Sequence, residues 1–200
     1  MNTAKIKSRN SDFSSKAGNL FVVSAPSGSG KTTLCKALLN HYPDIEYSIS
    51  TTTRKPRKGE TDGIDYHFME KGEFLEKLNS SCWAEWALVH DYYYGTSAGF
   101  LDEALVSGKN ILLDIDVQGM RQILERYPDA VTIFIMPPSL DVLRERLEKR
   151  ETDSRETIEK RMGNAEEEIS KKDLYRHVII NDRLEVAINE LIEIVGSYRQ

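Results

Sequence analysis

The stretch LFVVSAPSGSGKTTL, residues 20–34, decides how the rest of the chain is read. Leu20, Phe21, Val22 and Val23 form an apolar run that gives way to a Gly/Ser-rich turn. Lys31-Thr32-Thr33 then opens a segment whose apolar residues recur at helical spacing. Strand, loop and helix start in that order are the context in which Gly-Lys-Thr reads as a P-loop rather than an ordinary turn. Ala25, Pro26, Ser27, Gly28, Ser29, Gly30, Lys31, Thr32 and Thr33 are the expected phosphate cradle. Gly28 and Gly30 let backbone N–H groups converge on phosphate oxygens where a side chain would obstruct them. The positive end of the following helix favours an anion at the same place. Lys31 can set a cation on the β- and γ-phosphates, and the Thr32 hydroxyl can ligate Mg²⁺. Ala25 stands where the pattern begins with Gly. Ala serves there only if the backbone φ stays negative.

Working outward, the chain of 200 residues suits one domain with small insertions and can bury a sizeable core. Its formal net charge of −5 does not describe a general binder of nucleic acid or anionic membrane. Cys35 and Cys82 are too few for a disulfide framework and have no metal-ligand spacing. No apolar run approaches the ~18 residues of a transmembrane helix. Residues 1–18 are polar, without the apolar segment of a signal peptide, and are expected to form a disordered tail. The protein is expected in the cytoplasm.

Downstream of the P-loop helix, residues 47–53 read as a short strand that runs into the basic loop Arg54-Lys55-Pro56-Arg57-Lys58-Gly59-Glu60. In an acidic chain such a loop is either a solvated charge run or a phosphate site, since Arg matches phosphate with two donors at once. Residues 65–68 and 82–89 read as strands, with a helix over 70–79 between them. Of Tyr92, Tyr93 and Tyr94, packing accounts for most, while a Tyr before Gly95 can present its hydroxyl. Residues 99–107 read as a helix capped by Gly108.

The run NILLDID, residues 110–116, is an apolar strand ending in acids. At the carboxyl end of a strand in an open α/β sheet, Asp114 and Asp116 would face a ligand crevice. Asp116 can equally cap the next helix. Residues 130–136 form a second continuous apolar strand, as in a buried parallel sheet. Two charged helices follow, over residues 139–150 with Arg144, Arg146 and Arg150, and over residues 155–172 with Arg161. They are either a solvated hairpin or a lid over a nucleotide. A last strand, residues 177–180, precedes Asn181-Asp182 and a terminal amphipathic helix over 184–198. His41, His67, His90 and His177 are scattered without metal-ligand spacing and read as structural.

The order of these parts is specific: P-loop, S-x-T-T-R-x-P-R-x-G-E, Y-x-F, E-W-A, Y-Y-G-T-S, L-D-I-D-x-Q-G, paired arginines, I-N-D. It resembles the guanylate kinase family from Leu20 to the C-terminus without a gap. The resemblance implies an α/β fold: a P-loop NTPase core with a parallel β-sheet flanked by helices, an inserted GMP-binding region and a helical lid. Its expected boundaries are core 19–49, 98–139 and 162–200, GMP-binding region 50–97 and lid 140–161. It further implies that Arg54, Arg57, Tyr66 and Tyr94 bind the GMP phosphate, and that Ser50, Glu85 and Thr96 recognise guanine. Asp116 would lie on the GMP side and Asp114 near Mg²⁺. Lys31, Arg54, Arg146, Arg150 and Arg161 would stabilise the transferring phosphoryl group, and Asn181 would lie by the adenine of ATP. The substrates implied are ATP with GMP or dGMP, with no nucleic acid or membrane partner; monomer and homodimer both stay open. Besides Ala25, the chain departs from the family at Glu151, often Gly, and at Asp91-Tyr92, commonly Gly-Asn. Two other readings stay open: a domain of this kind serving as a protein-binding scaffold, and a P-loop kinase with another phosphate acceptor.

Overall fold

The computed structural model describes residues 17–89, 91–149 and 154–199. Its centre is the strand β1 (Leu20–Ser24), whose five residues are all buried. Helix α1 (Lys31–His41) follows, and the chain then forms the short strands β2 (Glu46–Tyr47), β3 (Thr51–Thr52) and β4 (His67–Phe68). Helix α2 (Lys71–Asn79) leads to the hairpin strands β5 (Trp83–Val89) and β6 (Tyr92–Ser97). Next come α3 (Ala98–Val106), β7 (Ile111–Asp114), α4 (Val117–Arg126) and β8 (Val131–Met136). The charged helices α5 (Leu140–Glu148) and α6 (Arg155–Ile169), strand β9 (His177–Ile180) and α7 (Leu184–Tyr198) complete the order.

Two sheets form. The main one has the order β2-β7-β1-β8-β9 with every pairing parallel. Alternation along β1 divides the core: Leu20 and Val22 join Leu101, Met120 and Ile123 of α3 and α4 on one face. Phe21 and Val23 join Leu34, Leu38, Leu191 and Val195 of α1 and α7 on the other. Helices on both faces are what a parallel sheet of continuous apolar strands requires. From β1 the chain goes to one side of the sheet and, after β7, crosses to the other side at β8. The order therefore reverses around β1, and ligand crevices open beyond the carboxyl ends of strands at such a point.

The second sheet has the order β4-β3-β6-β5, with β3 antiparallel to β6 and β6 antiparallel to β5. The single strand expected over residues 47–53 is thus two strands in two different sheets. Ser48 still donates its N–H to Leu112 in the first, and Ser50 accepts from the His67 N–H in the second. Trp83 stacks on Phe74 at 4.3 Å between ring centroids, and Phe74 on Tyr93 at 5.3 Å, so this sheet has its own aromatic packing. Helix α4 joins the two units: the Gln122 side chain accepts from the Trp86 N–H and donates to the Trp86 carbonyl, at 3.1 and 2.8 Å.

The helices α5 and α6 share a small cluster of Leu143, Leu147, Ile158, Met162 and Ala165. The expected helix over 155–172 ends at Ile169 and tightens into a turn over Lys172–Leu174. Arg150, Glu151, His90 and residues 1–16 lie outside the described residues. Asp91 sits at φ 66°, a left-handed conformation that Asp tolerates better than most side chains and Gly adopts freely. Among the described residues no helix is long and apolar enough to cross a membrane.

Candidate active site

The loop between β1 and α1 wraps around the start of the helix. Ser29 N–H donates to Pro26 O, and the Thr33 and Leu34 N–H groups donate back to Gly30 O. Gly28 and Gly30 take φ of 96° and 94°, while Ala25 is not among the residues with positive φ. Ala at the first position therefore costs no backbone strain. A Cβ on Gly28 would approach Leu143 Cδ1 and Leu147 Cδ2 at 3.0 Å, so helix α5 rests directly on the loop. Gly28→Ala is expected to cost about 1–2 kcal/mol from the left-handed backbone alone. Thermal unfolding should fall by a few degrees. An unchanged melting temperature would mean that the loop has room to relax.

Lys31, at the first position of α1, forms an ion pair with Asp114 at the carboxyl end of β7, both side chains roughly four-fifths buried. The Thr32 side chain and Asp114 line one cavity of about 440 Å³, together with Tyr47, Glu60 and Tyr66. Among the described residues no group of three or more His, Cys, Asp and Glu is placed to hold a metal. One carboxylate and one hydroxyl beside a phosphate cradle do suit Mg²⁺, which keeps several waters and takes its remaining ligands from phosphates.

A second cavity, about 240 Å³, adjoins the first through Tyr66 and Asp114 and is lined by Ser50, Glu85, Tyr94 and Asp116. Glu85 is 5 % exposed. Its position follows from an irregularity in β5: Trp83 pairs with Ser97 and Glu85 with Thr96, so Ala84 is an extra residue. Such a bulge re-aims the side chains beyond it. The Thr96 hydroxyl, fully buried, donates to Glu85 Oε1 at 2.6 Å. Burial pushes the Glu85 carboxyl up to about 7; the Thr96 hydroxyl works against the shift and the Asp116 charge adds to it. A Cβ on Gly119 would come within 2.7 Å of Glu85 Oε2, so this glycine makes room for the carboxylate. Asp116 caps α4, accepting from the Gly119 N–H at 2.8 Å, and still lines the cavity. One Asp116 side chain thus both caps the helix and lines the cavity.

Arg54 is 9 % exposed and faces the hydroxyl of Tyr94 from Nε at 3.3 Å; its guanidinium lies over the Tyr66 ring, 5.4 Å from the centroid. Arg57 is exposed, with its backbone N–H on Glu60 at 2.7 Å. Tyr93, the middle tyrosine, is given to packing, and Tyr94 turns its hydroxyl to the site. From helices α5 and α6, Arg146 donates to Asn181 O at 2.9 Å and Arg161 reaches Ser27 Oγ at 3.4 Å. Asn181, 4 % exposed, spends its side-chain amide on Ser29 O at 2.8 Å, buttressing the P-loop from below.

Two carboxylates went unsingled in the sequence. Glu60 forms a two-point ion pair with Arg54. Glu168, half-buried near the end of α6, has its carboxyl pushed up to about 7, by burial first and then by Asp116, with Lys31 pulling it down. The run Glu166-Glu167-Glu168 offers no local signal that its third member lies within reach of the Asp116 and Lys31 charges.

A phosphate cradle that opens onto a second, separately built pocket is the layout of a P-loop kinase, with a donor side and an acceptor side. The family model for guanylate kinase matches residues 17–198. A guanylate kinase of Methylobacillus flagellatus is 47 % identical over 182 residues, covering 91 % of this chain and 90 % of that protein. One of Geobacter metallireducens is 45 % identical, covering 92 % and 91 %. The crystal structure of guanylate kinase from Anaplasma phagocytophilum superposes with a TM-score of 0.72 at 32 % identity, over 92 % of this chain and 88 % of that one. This chain belongs to the guanylate kinase family.

Proposed function

We propose that the protein transfers the γ-phosphoryl group of ATP to GMP, and likewise to dGMP, releasing ADP and GDP or dGDP. The observation that carries this reading is the buried Glu85 carboxylate, held by Thr96 in a pocket apart from the P-loop. Guanine offers two donors on one edge, N1–H and the N2 amino group, and a carboxylate accepts both in its plane. Ser50, on the same pocket, has a hydroxyl able to donate to O6. Arg54, Arg57, Tyr66 and Tyr94 would take the acceptor's phosphate.

On the donor side the P-loop N–H groups and Lys31 would hold the ATP phosphates. Thr32 and Asp114 would hold Mg²⁺, which when bound neutralises charge between the β- and γ-phosphates. Occupation of the loop would draw Lys31 away from Asp114 and onto phosphate. An oxygen of the GMP phosphate, already anionic, attacks the γ-phosphorus in line while the bond to the ADP oxygen breaks. No strong base is needed, so positioning and charge stabilisation carry the rate. Arg146 and Arg161, now on protein acceptors at Asn181 and Ser27, would move onto the transferring group, and the family resemblance gives Arg150 the same role. Asn181 touches the loop's backbone, so its contribution would pass through the cradle as well as any contact with adenine. We take residues 50–97 as the acceptor region and 140–161 as the lid. The cytoplasm suits a chain whose Cys35 and Cys82 are both free thiols.

The test is ADP release from ATP with each nucleoside monophosphate in turn. GMP and dGMP should be turned over, AMP and the pyrimidine monophosphates weakly; equal turnover of AMP would defeat the guanine reading. Lid motion has its own measurement. Small-angle scattering with GMP and an unreactive ATP analogue should give a smaller radius of gyration than the free protein. An unchanged radius would count against closure of α5 and α6.

A further inference from the structure

The arginine assigned to the acceptor's phosphate is gripped from behind. A guanidinium carries five N–H groups in one plane, and they fall on distinct edges. Arg54 Nη1 and Nη2 donate to Glu60 Oε2 and Oε1 at 2.9 and 2.8 Å, which takes the end edge completely. The second Nη1 hydrogen goes to the Lys55 carbonyl at 2.8 Å. What is left is the side edge, where Nε makes only the long 3.3 Å contact with the Tyr94 hydroxyl. Glu60 is itself held by the Arg57 N–H. Its carboxyl lies below the ordinary range, chiefly because Arg54 donates to it, so it keeps its charge.

Two roles fit an ion pair at this place. Glu60 could stand in for the phosphate and be displaced by substrate, or it could hold Arg54 in the orientation that substrate needs. The cavities separate them. Tyr66 and Tyr94 line the acceptor pocket, whereas Glu60 lines the adjoining cavity and not that pocket. The carboxylate therefore lies toward the adjoining cavity, while Tyr94, whose hydroxyl meets the Nε edge of the guanidinium, lines the acceptor pocket.

We infer that Glu60 is a positioning residue for acceptor phosphate: by taking the end edge of Arg54 it presents the Nε–Nη2 edge, with the Tyr94 hydroxyl, as a preformed fork for a nucleoside monophosphate. The inference rests on the acceptor reading proposed above. Preorganisation of this kind lowers the ordering cost of binding, since a free Arg must surrender much of its rotamer freedom to make a fork.

Glu60→Gln keeps the size of the side chain but turns one acceptor into a donor against the guanidinium. Its effect should follow the phosphate and not the base. KM for GMP and its calorimetric Kd should rise about 10- to 50-fold, while Kd for guanosine and KM for ATP stay within twofold. In an Arg54→Lys background, where no fork exists, adding Glu60→Gln should weaken GMP by less than about threefold more. Tighter or unchanged GMP binding in Glu60→Gln would overturn the proposal, the former pointing to a displaced stand-in. Equal loss of guanosine and GMP would overturn it too, because the region would then be damaged as a whole. Failure of the acceptor reading would show separately, as an unsubstituted protein that does not phosphorylate GMP.

Discussion

Lys31→Ala is expected to lower turnover at least ~10³-fold, the scale lost when a charge-stabilising group is removed from a phosphoryl-transfer site. The structure adds a second expectation. Lys31 is paired with Asp114 before any nucleotide arrives, so the substitution also leaves a partly buried carboxylate without its cation. That should cost on the order of 1–2 kcal/mol of stability, between the values for exposed and buried pairs. The melting temperature should drop by a few degrees without loss of cooperative unfolding. Because the role proposed for this cation is on the ATP phosphates and not on guanine, Kd for GMP should be nearly unchanged. Turnover within tenfold of the unsubstituted protein would remove Lys31 from the mechanism.

Glu85→Gln is expected to lower kcat/KM for GMP by about 10²-fold, because one of guanine's two donors then meets an N–H instead of an acceptor. KM for ATP should hardly change. The pH dependence carries the sharper signature. With its carboxyl pushed up to about 7, free Glu85 is largely protonated below that pH and presents an O–H toward guanine's own donors. KM for GMP should therefore improve as pH rises through about 7, and this limb should be missing in Glu85→Gln. The linked stability has the opposite sense. A carboxyl whose native pKa lies above its unfolded value of 4.5 withdraws stability as pH rises from 4.5 to about 7, by about 3 kcal/mol in all. The Gln variant, still able to accept from Thr96, should lose less stability over that interval. If KM for GMP is flat across pH 6–8 in the unsubstituted protein, Glu85 is not read as a carboxylate by the base.

The P-loop was legible from sequence because its chemistry is local: nine consecutive residues carry the turn, the donors, the cation and the hydroxyl, and the apolar run before them declares the strand. The parallel sheet was legible for a related reason, since β1 and β8 are apolar at nearly every position, as strands buried on both faces must be. Residues 47–53 misled, because a short apolar-polar alternation says strand without saying which sheet, and the chain changes sheets within those seven residues. Tertiary structure alone decided the rest. No spacing announces that Ala84 is an extra residue in β5, yet that bulge is what sends Glu85 inward to Thr96. Nothing local says that Glu60 reaches back six residues to fork with Arg54, that Asn181 crosses 152 residues to hold Ser29, or that Leu143 and Leu147 rest on Gly28. The first of these contacts depends on how one loop folds back on itself and the others on packing between elements distant in the chain, and their energies come from burial and pairing that exist only once the chain has folded.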